Sequence, residues 1–330
     1  MKKHWLLGGA ALLAISLAAC GSTEGASESG AKTEAVEADG KNTASTSEEQ
    51  AKETKISYLG DEYTFPNPAE NIVAASLEAM EDAAVLGVKP VGVLEIAGEV
   101  PGYLAKELKG AALIGDKFSP NAEAILSLDP DAIIGTSKWN EEVMAKMNKI
   151  ATTLPYSHIS TNWKDNLLAF GQLTGKTAEA EKVISDYDTK AAKAKAELGN
   201  SAADKEVLII RVRGGLMNIY PAGVYLNPVL YEDLGLKVPE TLTAAKAQQE
   251  LTLETLSKIN PDIIFLQFEK SENADAPSAL KDLQKNPIFT NLKAAKNGDV
   301  HVNVIDPLAQ GGTAWSKVKF LDAAVEKLVK

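Results

Sequence analysis

The chain has 330 residues, a single cysteine and a formal net charge of −11 at pH 7. The negative charge argues against binding to nucleic acid, whose phosphates would be repelled, and the lone cysteine excludes an intramolecular disulfide. The length is sufficient for two domains that each bury a core of their own.

The first 19 residues have the features of a secretion signal. Lys2 and Lys3 form a basic start, and the apolar segment 5–17 that follows is too short to remain as a membrane-spanning helix. The residues Leu-Ala-Ala directly before Cys20 resemble a bacterial lipobox, in which the cysteine thiol carries a diacylglycerol. We therefore expect the mature protein to be held at the extracellular face of the cell membrane by a lipid on Cys20.

Residues 20–55 have the composition of a tether. After the cysteine they are mainly Gly, Ser, Thr, Ala, Glu and Lys, with almost no large apolar side chain. Such a segment cannot bury enough apolar surface to offset its loss of chain entropy. We therefore predict a flexible tether that ends at residue 55 and a folded part that begins at residue 56.

An internal repeat predicts two related lobes. Residues 121–134 and 253–265 share a Glu, a Pro seven positions later, an Asp directly after it and then an apolar run. This pattern is typical of a short amphipathic helix, a stop at the proline and a buried strand. Two α/β lobes, at 56–162 and 201–330, are the simplest arrangement that contains both copies.

A helical segment at residues 163–200 is predicted to connect the lobes. Thr177 is a suitable capping residue at its centre, and neither Pro nor Gly follows it before residue 199. Apolar side chains recur at helical spacing along the second half: Val183, Ile184, Tyr187, Ala191, Ala194 and Leu198. A long helix of this kind would act as a rigid connection and limit closure of the lobes.

Two arginines form the strongest local signal for a binding site. Arg211 and Arg213 are the only arginines among 34 basic residues, and they end an apolar strand that begins at Val207. Strand alternation places both on one face, and ligands of parallel sheets bind at the carboxyl ends of strands. Their guanidinium groups suit oxygen-rich anions, although two surface cations on an edge strand would show the same pattern.

Other polar residues carry weaker signals. Lys117 and Lys246 taken alone look like ordinary solvated lysines, and His158 and His301 stand apart from each other in the sequence. Metal binding by the protein itself needs clustered His and carboxylate ligands, so we predict no metal site. No motif for a catalytic nucleophile and its base has supporting context, and we predict that the protein is not an enzyme.

Five segments together resemble a known family. They are Leu-Glu-Ala-Met-Glu-Asp-Ala at 77–83, Ser-His-Ile-Ser-Thr-Asn-Trp-Lys at 157–164, Ile-Arg-Val-Arg at 210–213, Ala-Ala-Lys-Ala-Gln at 244–248, and Asp-Pro-Leu-Ala-Gln-Gly-Gly-Thr-Ala-Trp-Ser-Lys-Val at 306–318. With them the folded part resembles ABC-importer substrate-binding proteins of the siderophore and cobalamin type. It looks most like the Gram-positive lipoproteins that bind ferric tris-catecholates such as bacillibactin.

The resemblance implies both a fold and a function. The fold is a two-lobed, periplasmic-binding-protein-like α/β fold whose lobes are joined by a single long rigid helix. The function is to capture an anionic ferric siderophore and deliver it to an ABC permease with its ATPase. The implied protein acts as a monomer, is not catalytic and needs no cofactor, because catecholate oxygens already saturate Fe(III) and leave an anionic complex for the protein to bind.

The resemblance also implies roles for individual residues. Five fall on positions that contact the anionic iron complex: Lys117, Arg211, Arg213, Lys246 and Gln248. Glu123 and Glu254, one in each copy of the repeat, fall on the acidic positions that dock on arginines of the permease.

Two positions depart from the family pattern. Glu99 occupies a loop position where the catecholate binders carry a lysine, and Gly214 replaces a polar residue after the second arginine. We therefore include Glu99 among the expected ligand contacts, where it would favour a ligand with a donor or a lower charge. In the alternative, Glu99 points to solvent and the other four cations bind the usual tris-catecholate. Other ligands in the same fold, namely a mixed citrate siderophore, a hydroxamate or haem, remain alternatives, and a surface-anchored hydrolase is a more distant one.

Overall fold

The structure is a computed structural model that describes residues 53–203 and 205–329, without the side chains of residues 200–203. Cys20 and the predicted signal lie outside the described residues. Strand β1 (Glu53–Tyr58) begins inside the range predicted as tether and pairs antiparallel with β2 (Asp61–Pro66). The first described strand therefore includes residues of the predicted tether, because backbone pairing in a hairpin does not require apolar side chains at the strand end.

The first lobe is built on a parallel sheet. Its strands are β3 (Ile72–Ala74), β4 (Gly92–Val93), β5 (Ala112–Leu113), β6 (Ala132–Thr136) and β7 (Thr153–Tyr156), and their order across the sheet is β5-β4-β3-β6-β7. The helices of this lobe up to β7 are α1 (Leu77–Leu86), α2 (Ala122–Ser127) and α3 (Glu141–Asn148). A 3-10 turn at Ser160–Asn162 follows the last strand.

The connecting segment consists of two helices with different roles. The first, α4 (Trp163–Leu173), packs on the first lobe, where Asn166 accepts a hydrogen bond from the Tyr58 hydroxyl at 2.5 Å and another from the Tyr156 hydroxyl at 2.7 Å. The second, α5 (Thr177–Ala203), leads to the second lobe. The prediction of one connecting segment at 163–200 therefore needs correction, because its first half belongs to the first lobe and α5 alone forms the long connecting helix.

The buried face of α5 follows the predicted spacing. Tyr187, Ala191, Ala194 and Leu198 are all at most 6% exposed. Gly199 interrupts the helix with a φ of 53°, a left-handed conformation that glycine adopts without strain.

The second lobe contains a mixed sheet. Its strands are β8 (Val207–Arg213), β9 (Leu216–Ile219), β10 (Gln249–Glu250), β11 (Ile263–Phe268) and β12 (Val300–Val302), in the order β10-β9-β8-β11-β12. Strands β8, β11 and β12 are parallel, whereas β9 and β10 run antiparallel to their neighbours. Short helices surround the sheet: α6 (Glu240–Ala244), α7 (Leu253–Ile259), α8 (Ala279–Lys285), α9 (Pro287–Thr290), α10 (Lys293–Asn297), a π-helical turn at Val229–Asp233 and a 3-10 turn at Ser271–Asn273.

The internal repeat occupies equivalent places in the two lobes. Helix α2 leads into β6 and helix α7 into β11, and each of these strands is fourth in the order of its sheet. The aspartate after each proline has the same role: Asp131 accepts the backbone N–H groups of Glu70 and Asn71 before β3, and Asp262 accepts that of Glu206 before β8. The predicted two-lobed α/β fold is thereby confirmed.

A buried junction joins the last helix, α11 (Ala314–Leu328), to α1 of the first lobe. The carboxylate of Glu81 accepts hydrogen bonds from the hydroxyl of Tyr103 at 2.6 Å, the backbone N–H of Gln310 at 2.9 Å and the hydroxyls of Thr313 and Ser316. This set, with Asp82, which accepts from the backbone N–H of Ala314, is called the α1–α11 junction below. It brings together the segments 77–83 and 306–318.

The junction carries carboxylates away from solvent. Glu81 and Asp82 are both 0% exposed. Burial raises the pKa of Glu81 to about 7, and it outweighs the four hydrogen bonds, which act in the opposite direction. Burial also raises the pKa of Asp82 well above its usual range.

Candidate binding cavity between the lobes

A cavity of about 580 Å³ lies between the two lobes. Its walls are formed where the chain leaves the carboxyl ends of parallel strands, after β3, β6 and β7 in the first lobe and after β8 and β11 in the second. Ligands of open α/β sheets bind at this edge. Five of the residues that the sequence analysis associates with a ligand line the cavity: Lys117, Arg211, Arg213, Lys246 and Gln248.

The two arginines reach the cavity from the end of β8, which runs between β9 and β11. Both side chains line the cavity, whereas Val212 between them does not, as strand alternation requires. They differ in exposure, because the side chain of Arg211 is 8% exposed and that of Arg213 is 31% exposed. The guanidinium of Arg211 also lies over the ring of Tyr225, 5.2 Å from its centroid.

A carboxylate that the sequence analysis missed faces both arginines. Glu272 accepts hydrogen bonds from Nε and Nη2 of Arg211, each at 3.0 Å, and its Oε1 lies 3.1 Å from Nη2 of Arg213. The side chain is 10% exposed and lines the cavity. Its position after β11, the strand beside β8, is the signal that would have identified it, because neighbouring parallel strands end at the same edge.

Lys117 reaches the same carboxylate from the first lobe. The turn that carries it is held by Asp116, whose side chain accepts the N–H groups of Phe118 at 2.7 Å and Ser119 at 3.0 Å. Nζ of Lys117 lies 3.9 Å from Oε1 of Glu272 in the second lobe. Burial lowers the pKa of Lys117, and a negative charge in the cavity would oppose that effect.

Gln248 links the edge of the second sheet to the arginines. Its Oε1 accepts hydrogen bonds from Nη1 of Arg213 and from the hydroxyl of Tyr220, both at 3.0 Å, and its Nε2 donates to Asn218 at 3.1 Å. The side chain therefore positions Arg213. Lys246 is exposed at the mouth of the cavity.

The first lobe adds a second ion pair to the wall. Nζ of Lys138 lies 3.1 Å from Oε1 of Glu78, and the side chain of Glu78 is 7% exposed. Lys138 was not predictable as a site residue, because nothing in its local sequence distinguishes it from the other lysines. Lys138 lies just after β6, and only the order of the strands in the sheet shows that this position lies at the cavity.

A histidine also lines the cavity. Nδ1 of His158 lies 2.8 Å from Oγ of Ser137, and this hydroxyl oxygen is also 3.2 Å from the backbone nitrogen of His158. Burial lowers the pKa of His158, so the imidazole is neutral at pH 7. Among the hydrogen bonds of the described residues, none joins this imidazole to a carboxylate.

The structure favours the solvent-facing alternative for Glu99 over a ligand contact. Ile96 and Glu99 form a narrow turn held by two backbone hydrogen bonds, of 2.8 Å and 3.3 Å, and the Glu99 side chain is exposed. Glu99 is absent from the cavity lining, although Leu94 on the preceding stretch contributes to it. The sequence position alone does not reveal this turn, because it depends on two backbone hydrogen bonds.

The two acidic residues of the repeat lie on the surface. Glu123 is in the first turn of α2, which Asn121 caps, and Glu254 is in the first turn of α7, which Thr252 caps. Both side chains are exposed. Because α2 and α7 hold equivalent places in the two lobes, the two glutamates do so as well.

The cavity is positively charged in an acidic protein. Five cationic side chains line it, and two carboxylates, Glu78 and Glu272, offset part of their charge, so the lining has a formal charge of +3. Within residues 53–203 and 205–329, no group of three or more His, Cys, Asp or Glu side chains is arranged to hold a metal ion. The geometry fits an anionic ligand that is held by hydrogen bonds and charge.

Comparisons with known proteins place the chain among binding proteins. Residues 72–303 match the family model described as periplasmic binding protein. The chain is similar to the iron-uptake system-binding protein of Bacillus subtilis (strain 168), with 46% identity over 97% of this chain and 96% of that protein. It is also 30% identical, over 91% of its length and 90% of the relative, to the probable siderophore-binding lipoprotein YfiY of the same organism.

A solved structure matches over nearly its whole length. It is that of the triscatecholate siderophore binding protein FeuA from Bacillus subtilis in complex with ferri-bacillibactin. The TM-score is 0.80 at 48% identity, and the match covers 83% of this chain and 98% of that structure. Among the described residues, no helix is both long and apolar enough to cross a membrane.

Proposed function

The chain belongs to the periplasmic binding protein family, and we propose that it captures an anionic ferric siderophore of the tris-catecholate class for an ABC importer. The observation that carries this proposal is the cavity lining, in which two arginines and three lysines from both lobes give a formal charge of +3. The similarity to the iron-uptake system-binding protein and to the FeuA complex supports the same ligand class.

The chemistry of the ligand matches this lining. Three catecholates supply all six oxygens that Fe(III) needs and leave a complex with three negative charges, so the protein has to supply hydrogen bonds and positive charge rather than metal ligands. Arg213, Lys117 and Lys246 line the cavity and carry charged hydrogen-bond donors. Charge-assisted hydrogen bonds of this kind are about twice as strong as neutral ones, and opposite charge also accelerates the encounter.

A ligand titration tests the proposal. Protein that lacks residues 1–20 would be titrated with a panel of ferric tris-catecholate, ferric trihydroxamate, ferric citrate, haem and cobalamin, with tryptophan fluorescence as the signal. Trp139 lines the cavity, so Trp139→Phe is a control that should lose most of the quenching. We expect the tightest binding for the tris-catecholate. A preference for a neutral complex or for haem would overturn the assignment.

We further propose that Glu123 and Glu254 dock on arginines of the permease. Their exposure and their equivalent positions on the two lobes support this role. The double variant Glu123→Ala, Glu254→Ala should bind the ferric siderophore normally and fail to support its import. Normal uptake of labelled iron by cells that carry only the double variant would contradict the docking role.

The proposed attachment is a lipid on Cys20, a residue outside the described range. The similarity to a protein named as a lipoprotein supports it. Cys20→Ala should release the protein or leave it as an uncleaved precursor, and detection of an acylated variant by mass spectrometry would exclude this site. We propose a monomer at the extracellular face of the membrane that hands its ligand to a permease with its ATPase.

The enzyme alternative rests on the contact between Ser137 and His158. A serine hydroxyl 2.8 Å from an imidazole has the geometry of a nucleophile and its base. A third group that orients the base completes such sites, and none of the hydrogen bonds in the described part of the chain supplies it here. We therefore propose a binding protein. Mass spectrometry of the ferric siderophore after prolonged incubation should show it intact, and hydrolysis that Ser137→Ala abolishes would favour the enzyme.

A further inference from the structure

Glu272 is a negative charge at the centre of a site for anions. Its carboxylate contacts three cations: Arg211 through two hydrogen bonds of 3.0 Å, Arg213 at 3.1 Å and Lys117 at 3.9 Å. An anionic ligand in the cavity has to share these cations with Glu272. The residue therefore weakens the binding that the surrounding cations favour.

The backbone holds Glu272 in this position. Its carbonyl accepts the N–H of Gly214 at 2.9 Å, and the neighbouring Asn273 accepts the N–H of Gly215 at 3.0 Å. The amide of Asn273 also donates to the carbonyls of Val212 at 2.9 Å and Glu269 at 2.7 Å. The turn that carries Glu272 is thus attached to the end of β8, where the arginines lie. These bonds anchor the backbone of residue 272 beside the guanidinium groups.

The empty cavity explains why such a residue is useful. Arg211 is 8% exposed, and a buried cation without an anionic partner is strongly unfavourable. Arg211 and Arg213 would also repel each other and Lys117 when no ligand is bound. Glu272 offsets both effects, so that loss of the ligand does not leave three neighbouring cations without a counter-charge.

We propose that Glu272 is the internal counter-ion of the binding site: it stabilises the empty cavity and limits the affinity for anionic ligands, which makes release possible. This inference rests on the proposed function, because it assigns a specificity-determining and release-promoting residue to the same cavity. It leaves Nη1 of Arg211 and Nε of Arg213 outside the contacts with Glu272, as donors for the ligand.

Glu272→Gln tests the proposal because it keeps the size of the side chain and removes its charge. We expect ferric tris-catecholate to bind roughly five- to tenfold more tightly at low salt, with most of the change in a slower dissociation rate. The gain should shrink as salt is added. Binding of a neutral ferric trihydroxamate should change by less than about twofold. Equilibrium titration and stopped-flow dissociation measure both quantities.

Two further variants separate charge from structure. Asp275→Asn removes one negative charge from an exposed position on the same loop and should change the affinity by less than about twofold. Glu272→Asp keeps the charge but withdraws it by one methylene from the arginines, so a smaller gain of about twofold is expected in the same direction. Unchanged or weaker tris-catecholate binding by Glu272→Gln would overturn the proposal and show that Glu272 only orients the arginines.

A thermal measurement without ligand tests the same role independently. Glu272→Gln should melt at a lower temperature than the wild type in low salt, and the difference should narrow as salt screens the arginines. A difference in melting temperature that salt does not change would contradict the counter-ion role, and this test does not require a ligand. The two proposals can fail separately. If the wild type binds no ferric catecholate, the proposed function is wrong. If the wild type binds it but the loss of melting temperature in Glu272→Gln does not depend on salt, only the counter-ion role is wrong.

Discussion

Two carboxylates with little exposure to solvent have opposite surroundings in this protein. Glu272 in the cavity contacts two arginines and a lysine, whereas Glu81 in the α1–α11 junction accepts from hydroxyl groups and one backbone N–H. The side chain of Glu81 is removed from solvent and that of Glu272 is only 10% exposed, and both connect segments that are distant in the sequence. The difference lies in the charge of the partners.

That difference determines what each carboxylate can do. A carboxylate among cations competes with any entering anion for those cations. The cations can therefore exchange one negative partner for another. A carboxylate among neutral donors has no such alternative partner, and burial raises the pKa of Glu81 towards neutral pH. The cavity is thus arranged for ligand exchange, and the junction is arranged to hold α1 of the first lobe against α11.

The largest effect should follow removal of the junction carboxylate. Glu81→Ala leaves the hydroxyls of Tyr103, Thr313 and Ser316 without their acceptor and creates a cavity, so we expect a loss of about 3–5 kcal/mol in the free energy of unfolding. Urea denaturation at pH 6 measures it, with the exposed Glu123→Ala as a control that should cost about 0.5 kcal/mol or less. A loss below about 1 kcal/mol would mean that the junction contributes little.

The pH dependence of stability should be the next largest effect. The pKa of Glu81 is about 7 in the folded protein, and the ordinary value of 4.5 applies to the unfolded chain. Between pH 4.5 and pH 7 the folded state therefore retains a proton that the unfolded state has lost. Stability is therefore greatest below pH 4.5 for this group, and it falls by about 3 kcal/mol as the pH rises to 7.

Glu81→Gln isolates that contribution. The amide is neutral at every pH, so the variant should lose about 3 kcal/mol less than the wild type between pH 4.5 and pH 8. Urea titrations of both proteins at the two pH values provide the comparison. The charge of Glu81 also contributes to the raised pKa of Asp82, so the difference between the two proteins includes this coupling. Parallel curves for wild type and variant would show that Glu81 does not bind a proton in this range.

The cavity arginines should have intermediate effects on ligand affinity. We expect Arg213→Ala and Arg211→Ala each to weaken ferric tris-catecholate binding by about 1–3 kcal/mol, measured by fluorescence titration. Only Arg211→Ala should also lower the melting temperature clearly, because Arg211 is buried and makes both strong hydrogen bonds to Glu272. Equal affinities for the wild type and both variants would show that the arginines do not bind the ligand.

The smallest effect should come from the loop that the structure places outside the cavity. Glu99→Lys reverses an exposed charge, so the affinity for ferric tris-catecholate should change by less than about twofold even at low salt. Had the side chain entered the cavity, as the family resemblance implies, a gain of about tenfold would be expected. Titration at low ionic strength distinguishes the two positions of the side chain. A gain in affinity of about tenfold would show that Glu99 contacts the ligand.

Part of the site was predictable because it depends on short-range rules. Strand alternation brings Arg211 and Arg213 to one face, and a strand that ends in arginines directs them to the ligand edge of a sheet. The family resemblance added Lys117, Lys246 and Gln248, and all three line the cavity. The internal repeat predicted two lobes because a helix, a proline stop and a buried strand are each local features.

Glu272, Lys138 and Glu78 were not predictable in the same way. Each is an ordinary charged residue in its own segment, and its role arises from the strand beside it in the sheet, which the order β10-β9-β8-β11-β12 in one lobe and β5-β4-β3-β6-β7 in the other decides. The tight turn at Ile96 and Glu99 is a similar case, because two backbone hydrogen bonds determine where that loop points.

By itself, the sequence determined the α/β class, the two lobes and the long helix, and it predicted a site for an anionic ligand, because periodicity, turn residues and paired arginines act over a few positions. Only the tertiary structure decided which carboxylates meet which cations. Arg211 and Glu272 are 61 residues apart, and Glu81 and Thr313 are 232 apart. Electrostatic partners depend on distance in space, and the packing of the two sheets sets that distance.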